Sequence, residues 1–400
     1  MGRVNAAQKG KEVIQVFKPS LGEEELDALR EIFKTGWIGL GPKTAEFEER
    51  FAEYVGAKYA VATNSATAAL HLCCLALDLD EGDVVMIPTM TFVSTAHAPT
   101  YCGAAPLFVD IEPTTLNIQI KDLAHKLRVA AKLGHPRVKA IIPVHYGGHA
   151  CHMEAIWNIA AKYGLQVIED AAHACGSEYK GQKIGGLERS TATCFSFHAV
   201  KNLPCGDGGM ITTNRFELAQ RLRRLRWCGI DKSTWERTEE AEYKQYSWYY
   251  EIEELGYKYH MNDIAAVIGL CQLAKLDVNN NRRREIATTY TEAFQEKAPW
   301  IETPVERAWT RSAWHNYVIK TIHRDALNAF LKEREIATGV HYYPIHLQPY
   351  YHRRIGSVVL PNAERIWPKL LTLPMYPSLT DGEVSYIIDS ILEFGRTHEC

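Results

Sequence analysis

The feature that most constrains the fold is a repeated alternation of short apolar runs with segments of helical spacing. The β-type runs between residues 58 and 170 are KYAVA (58–62), VVMIP (84–88), PLFVD (106–110), VKAIIPVH (138–145) and LQVIED (165–170). Each is followed by a stretch long enough for a helix, and HMEAIWNIAAKYG is the clearest, with Gly164 as its stop. This alternation predicts βαβ units and a mostly parallel sheet flanked by helices, an α/β fold.

The segments before and after this alternation have other patterns. Residues 23–35 have helical spacing, with Leu26, Leu29, Ile32 and Phe33 on one apolar stripe. The runs ATCFSFH (192–198) and GMITTN (209–214) have strand character but no helix between them. A polar and aromatic stretch over 231–258 is too irregular to assign and is predicted to be a surface excursion.

The C-terminal part of the chain predicts a smaller α+β unit. A long helix is expected over 262–294, a strand over 315–321, and helices over 324–335 and 381–394. We therefore expect a large domain over 1–270 and a small C-terminal domain over 271–400.

Charge and composition exclude several classes of protein. The 45 Lys and Arg residues nearly balance the 48 Asp and Glu residues, whereas a nucleic-acid-binding domain is usually visibly basic. No apolar run approaches the ~18 residues of a membrane span, and the start MGRVNAAQKGKEV lacks the apolar core of a signal peptide. The ten cysteines then indicate reduced core residues, and we expect a cytoplasmic protein that binds neither nucleic acid nor membrane.

Two segments carry side chains with possible chemistry. Asp170 ends the run LQVIED, where it is either a helix N-cap or a functional carboxylate, and His173 follows in a position that is more often structural. Lys201 lies in FSFHAVKNLPCGDGG (195–209), between a strand and a glycine-rich turn. In isolation it is most simply a solvated loop lysine, but a lysine that is desolvated near a strand end can form a Schiff base.

A third segment, TNSATAALHL (63–72), places small polar residues where a helix begins. It is either an ordinary Ser/Thr cap or a phosphate site, because free N–H groups and the helix dipole favour an anion. Metal sites have little support, since HExxH and CxxC are absent and HACH (149–152) lies at a strand-to-helix connection. No metal site is therefore expected.

The three segments together supply the parts that pyridoxal 5′-phosphate (PLP) needs. A lysine holds its aldehyde carbon as an imine, a carboxylate pairs with the pyridine nitrogen, and a helix N-terminus takes the phosphate. The sequence therefore predicts a PLP enzyme.

At these residues the chain resembles the DegT/DnrJ/StrS family of sugar aminotransferases, which have the fold type I architecture of PLP enzymes. The resemblance extends over nearly the whole chain. Its motifs are GWIGLGPKTAEFEERFAEYVGAKYAVATNSATAALHL (36–72), DVVMIPTMTFVSTAHA (83–98), VIEDAAHACGS (167–177), FSFHAVKNLPCGDGGMITTN (195–214) and ELGYKYHMNDIAAVIGLCQL (254–273).

The resemblance implies a role for several residues. Lys201 matches the lysine that binds PLP covalently and then acts as the acid and base of catalysis. Asp170 matches the partner of the pyridine nitrogen, and His173 matches a residue that lies against the ring. Phe92 matches a stacking aromatic, for which core packing is the simple alternative. Residues that match phosphate ligands are Ala66, Thr67 and Ser196.

Two further segments resemble the family less closely. In GYKYHM, Lys258 and His260 replace the Asn and Arg that the family often has, so the phosphate contact expected there from the other subunit is in doubt. The loop GVHYYPIHLQPYY (339–351) offers His341, Tyr342 and His346 near the substrate, with an aromatic packing corner as the alternative.

The family implies a ping-pong transfer of the amino group from L-glutamate to a nucleotide-linked keto-sugar, often a 4-keto-6-deoxyhexose, with pyridoxamine 5′-phosphate (PMP) as intermediate. It also implies a homodimer with shared active sites. Because Lys201 is present, transamination is favoured over the PLP-dependent dehydratases of the family, which have His there. A cyclitol aminotransferase and a non-catalytic PLP-binding regulator are the remaining alternatives.

Overall fold

The computed structural model describes residues 13–132, 137–230 and 250–398. The strands are β1 (Tyr59–Thr63), β2 (Asp83–Pro88), β3 (Ala105–Val109), β4 (Arg137–Ile141), β5 (Gln166–Asp170), β6 (Glu178–Tyr179), β7 (Gln182–Lys183), β8 (Ala192–Ser196), β9 (Gly209–Thr213), β10 (Thr310–Arg311), β11 (Tyr317–Lys320) and β12 (Leu370–Leu373).

The helices surround these strands, and short 3₁₀ turns lie at Tyr146–Gly148, Ile345–Leu347 and Trp367–Lys369. The α-helices are α1 (Glu23–Thr35), α2 (Pro42–Val55), α3 (Ala66–Ala76), α4 (Ser94–Tyr101), α5 (Ile120–Lys132), α6 (Met153–Tyr163), α7 (Phe216–Arg226), α8 (Asp263–Lys297), α9 (Arg324–Glu333), α10 (Pro349–Ile355), α11 (Pro361–Ile366) and α12 (Asp381–Thr397).

A seven-stranded sheet forms the centre, in the order β1-β9-β8-β5-β4-β2-β3. The neighbours from β8 to β3 pair in parallel, and β9 alone in this sheet runs antiparallel to its two neighbours. The predicted α/β fold with a mostly parallel sheet is confirmed. The antiparallel β8–β9 pair needs no crossover helix, which explains why the sequence shows none there.

The parallel strands place their carboxyl ends along one edge of this sheet, where ligands of open α/β sheets bind. Asp170 ends β5 and Ser196 ends β8, and Thr63 ends β1 at the same edge. Gly209, the first residue of β9, pairs with Thr63 on one side and Ser196 on the other. The segments predicted to carry chemistry thus meet at one edge.

Helix α1 differs from its prediction. Its bounds match the sequence pattern, but only Ile32 of the predicted stripe is buried, against α8. Leu26 and Phe33 remain 47% and 61% exposed. The chain therefore buries only part of the apolar stripe that the sequence predicts for α1.

The C-terminal residues build a separate apolar cluster around β11, β12, α9 and α12, to which the second half of α8 contributes Tyr290 and Phe294. The first half of α8 packs on α1 and α2. The predicted boundary at 270/271 falls inside α8, and the division into two domains stays a prediction.

Several predictions concern residues outside the described ranges. The expected start of the surface excursion, 231–249, and the N-terminal segment 1–12 both lie there. Among the helices that are described, none has the length and apolar character needed to cross a membrane. The cytoplasmic location stays a prediction.

Candidate active site

A cavity of about 370 Å³ opens at the carboxyl edge of the central sheet. It is bordered by the ends of β5 and β8, the start of α3 and the loop before β11. The predicted site residues that line it are Ala66, Thr67, Phe92, Asp170, His173, Ser196, Lys201, His341 and Tyr342. Residues up to 276 positions apart in sequence thus meet around one space.

Asp170 lies at the floor of the cavity and is almost completely buried. Its Oδ2 accepts a hydrogen bond from the Thr95 hydroxyl at 2.7 Å, and its Oδ1 accepts one from the Ala172 N–H at 3.1 Å. Burial raises the pKa of Asp170 above its usual value, although these hydrogen bonds and the charge of Lys201 oppose the rise. A cationic ring nitrogen placed here would find a fixed acceptor.

Lys201 follows β8 and is held in a desolvated environment. Burial lowers the pKa of Lys201 to about 8, while the negative charge of Asp170 acts in the opposite direction. An amine with this pKa is partly neutral near physiological pH, as a nucleophile and a proton-transfer group must be. The alternative of a solvated loop lysine does not match this burial.

The start of α3 forms an anion site beside Lys201. The Ser65 side chain caps the helix by accepting the Ala68 N–H at 3.1 Å. The Ala66 and Thr67 N–H groups lie in the first turn and therefore have no acceptor within the helix. The cap and the anion site are therefore compatible. A Cβ on Gly209 would lie 2.6–2.7 Å from the Ser65 and Ala66 backbone, so only glycine lets the strand approach this closely.

Aromatic and imidazole rings form the walls. Phe92 is 58% exposed and faces the cavity, which does not fit the alternative of core packing. His173 accepts the Gly147 N–H at Nδ1 (3.3 Å), and its Nε2 lies 3.0 Å from the Tyr342 hydroxyl. Burial lowers the pKa of His173 well below its usual value, so it lines the cavity as a neutral ring.

The three other predicted residues do not line this cavity. The Lys258 ammonium lies 3.3 Å from the centre of the Trp227 ring, and His260 pairs with Thr63 in an antiparallel bridge. His346 is buried between Thr89 and Glu364. Its position beside substrate is therefore not supported by the geometry, because packing of the loop turns it toward the protein interior.

Burial also limits which of the predicted histidines are positively charged. Desolvation lowers the pKa of His260 and of His341 to about 4, and it lowers the pKa of His346 as well. At pH 7 these rings are neutral. They can donate or accept hydrogen bonds but do not neutralise a phosphate.

Sequence reasoning missed three residues at the site. Thr95 binds the Asp170 carboxylate, His315 lies 3.5 Å from the Lys201 amine, and Asn202 binds His315. His315 opens a predicted strand, where a single His carries little signal. Asn202 directly follows Lys201, and this adjacency is the one feature of the sequence that could have pointed to Asn202 as a site residue.

Neither HACH nor Cys205 contributes to the cavity. His149 binds Asn117 and the Arg307 N–H, and His152 caps α6. Cys205 is buried, and burial raises the pKa of its thiol to about 12. Within the three described ranges, no group of three or more His, Cys, Asp and Glu side chains could hold a metal ion.

The cavity fits PLP on its own geometry. An amine of lowered pKa lies near a buried carboxylate, and unpaired helix amides lie beside a backbone cradle that a Cβ at Gly209 would fill. These are the complements of an aldehyde, a protonated ring nitrogen and a phosphate.

Comparison with known proteins agrees with this chemistry. The profile of the DegT/DnrJ/EryC1/StrS aminotransferase family matches residues 19–392. The spore coat polysaccharide biosynthesis protein SpsC of Bacillus subtilis is 42% identical over 393 residues, covering 96% of this chain and 97% of SpsC. The aminotransferase TlmJ from Streptoalloteichus hindustanus has a similar structure (TM-score 0.87, 34% identity), with 97% of this chain and 100% of TlmJ covered.

A further solved structure bears on the cofactor. Spr1654 of Streptococcus pneumoniae in its PMP form superimposes with a TM-score of 0.88 at 30% identity, covering 96% of this chain and 99% of Spr1654, and the same protein is known in a PLP form. The predicted cofactor, PLP with PMP as intermediate, is confirmed. The chain belongs to the DegT/DnrJ/EryC1/StrS family of PLP-dependent sugar aminotransferases.

Proposed function

We propose that this chain transfers an amino group from L-glutamate to a nucleotide-linked keto-sugar, a 4-keto-6-deoxyhexose, by a ping-pong mechanism. The observation that carries the proposal is the half-buried Lys201, whose amine has a pKa of about 8, in a cavity that also contains the Asp170 carboxylate. Such an amine can both attack a carbonyl and move a proton. The relation to SpsC, a polysaccharide biosynthesis protein by name, supports a sugar as acceptor.

The cavity residues would hold PLP along its whole length. Asp170 would bind the ring nitrogen, and Phe92 and His173 would lie against the ring. The phosphate would be bound by Ser196 and by the amides of Ala66 and Thr67. When bound, PLP supplies an electron sink for the carbanion and carries the amino group between the two half-reactions as PMP.

Lys201 performs the proton transfer in this proposal. Its Nζ would remove the proton from the Cα of L-glutamate in the first half-reaction and add a proton to the sugar carbon that receives the nitrogen in the second. Tyr342 and the neutral His341 border the same space and would bind uncharged substrate groups, such as sugar hydroxyls, by hydrogen bonds.

A second copy of the chain would complete the site, as a homodimer with shared active sites. Lys201 is the only Lys or Arg among the described residues that line the cavity, yet a diphosphate and two donor carboxylates need further positive charge. Lys258 lies outside this chain's own cavity and would enter that of the partner.

A mixing experiment tests the shared site. Lys201→Ala and Lys258→Ala are each expected to be nearly inactive. An equimolar mixture that has exchanged subunits would regain up to about one quarter of wild-type activity, because about half of the dimers are mixed and each mixed dimer has both lysines intact at one of its two sites. A mixture that stays inactive, while heterodimers are shown to form, would contradict a shared site.

The reaction itself is tested with a panel of nucleotide-linked 4-keto sugars and L-glutamate. We expect an amino sugar, identified by mass spectrometry and NMR, with 2-oxoglutarate as co-product. Lys201→Ala serves as control and is expected to lose both turnover and covalent trapping of the cofactor by borohydride. Glutamate turnover without sugar amination would instead favour a cyclitol or another acceptor, and loss of a sugar hydroxyl would favour the dehydratase. Trapped cofactor without any turnover would indicate a regulator.

A further inference from the structure

The geometry points to His315 and Asn202 as positioning residues for Lys201. We infer that they hold a neutral imidazole with the lone pair of its Nε2 directed at the Lys201 amine, so that this amine faces the reacting carbon. The inference rests on the proposed role of Lys201 and deepens it.

The orientation of the Asn202 side chain is determined by its neighbours. Its Nδ2 lies 2.8 Å from the carbonyl oxygen of Ala313 and 2.7 Å from Oδ1 of Asn280. A carbonyl oxygen can only accept, so Nδ2 is the donor. Asn280 is oriented in the same way, because its Nδ2 donates to the Cys175 carbonyl oxygen at 3.0 Å. Asn202 Oδ1 is therefore the acceptor that remains.

This acceptor selects the tautomer of His315. Asn202 Oδ1 lies 3.0 Å from His315 Nδ1, so Nδ1 carries the proton and Nε2 of the neutral ring keeps its lone pair. The His315 ring is buried and cannot turn freely. It stacks on Phe17 at 5.1 Å with an interplanar angle of 4°, and His173 lies 4.5 Å away on another side.

The lone pair points at the reacting nitrogen. His315 Nε2 lies 3.5 Å from Lys201 Nζ, at the long limit of a hydrogen bond, and such bonds often tighten when a site is occupied. When one N–H of the neutral lysine amine donates to Nε2, the lone pair of the amine does not point at His315 and stays available to a carbon bound in the cavity. Since Asn202 directly follows Lys201 in the chain, the same backbone segment positions the amine and the ring.

The charge state of His315 agrees with an accepting role. Burial lowers its pKa well below the usual value, and the nearby positive charge of Lys201 adds to the effect. The ring therefore stays neutral at working pH. The titratable groups that line the cavity with Lys201 are Asp170, His173, His198, Asp207, His315, His341 and Tyr342, and the positive charge of Arg283 also acts on His315.

The test is the titration of Lys201 in the full-length chain without cofactor. The rate at which acetic anhydride acylates Lys201 is followed by mass spectrometry against pH. A hydrogen bond to the ammonium form raises its pKa, so His315→Phe, which keeps a stacking ring but has no acceptor, is expected to lower the Lys201 pKa by about one unit. Asn202→Leu is expected to shift it in the same direction, because the tautomer is no longer held.

The double variant separates positioning from general damage. If Asn202 acts through His315, Asn202→Leu adds no further shift in the His315→Phe background. His149→Phe is the matched control, because it also removes a buried, hydrogen-bonded imidazole but lies outside the cavity lining; the Lys201 pKa should stay at its wild-type value.

Three results would overturn the inference: an unchanged titration in His315→Phe, additive shifts in the double variant, or an equal shift in His149→Phe. If His315→Phe does not fold, the Lys201 pKa of Asn202→Leu decides: a lowered pKa supports the inference, and an unchanged pKa overturns it. The assay needs neither cofactor nor sugar, so a sugar panel that proves inert would refute the proposed function without affecting this result.

Discussion

Gly209→Ala is the change whose effect on cofactor binding follows most directly from the structure. Gly209 begins β9 and lies between the ends of β1 and β8, against the backbone that starts α3. A Cβ there would be 2.6 Å from the carbonyl carbon and oxygen of Ser65 and 2.7 Å from the Ala66 nitrogen. Because these atoms are backbone, no side chain can rotate away to make room.

The size of the effect can be worked from these distances. Ordinary contact with a Cβ begins at 3.4 Å, so the start of α3 must move by about 0.7–0.8 Å. Overpacking of this kind costs about 1–3 kcal/mol. If α3 moves to relieve the overlap, the Ala66 and Thr67 amides leave the proposed phosphate position, and the cost appears as about a 5- to 150-fold weaker affinity.

The assay is titration of the cofactor-free chain with PMP, which has no covalent bond to Lys201. We expect the weakened affinity for PMP but a much smaller change for pyridoxamine, which lacks the phosphate. Gly39→Ala is the control, since a Cβ at Gly39 meets no atom within 4 Å. Unchanged PMP affinity in Gly209→Ala, or an equal loss for pyridoxamine, would refute the placement of the phosphate at α3.

Two further predictions concern the charged groups of the cavity. The pKa of Lys201 is about 8 in the folded state and 10.5 ordinarily. Between pH 8 and 10.5 the unfolded chain therefore binds more protons than the folded chain, and the contribution of Lys201 to the free energy of unfolding rises with pH. Lys201→Met should therefore stabilise the cofactor-free protein by roughly 3 kcal/mol at pH 7 and by progressively less from pH 8 to 10.5, as measured by urea unfolding; a pH-independent difference would contradict the lowered pKa. Asp170→Asn should keep the fold, because Asn can still bind the Thr95 hydroxyl and the Ala172 N–H, but lose about 100-fold or more of the transamination rate, since the ring nitrogen loses its negative partner. Near-normal turnover, measured as 2-oxoglutarate release, would count against that role.

Much of the fold was predictable because its signals are local. Helix α1 and the strands of the central sheet follow from residue spacing within single segments. The sequence also shows no helix between β8 and β9, which agrees with the antiparallel pairing found in the structure. The burial of α1 was not predictable in the same way. The spacing of Leu26 and Phe33 defines an apolar stripe, but it contains no information on how much of that stripe this chain itself covers.

The candidate site shows the same division. The residue types at 170 and 201, and the small residues at the start of α3, could be recognised in the sequence because each belongs to a motif of a few neighbouring residues. His315 could not, because it contacts Lys201 from 114 positions away. His346 belongs to a recognisable motif, but it does not line the cavity, because its side chain packs between Thr89 and Glu364.

The sequence by itself determined the order of the elements, the α/β class and the chemical groups that PLP requires, because periodicity and short motifs act over a few residues. Only the tertiary structure decided which histidines are neutral, which tautomer faces the lysine and how far the Lys201 pKa falls. The physical reason is that desolvation and hydrogen-bond direction depend on groups brought together from distant parts of the chain.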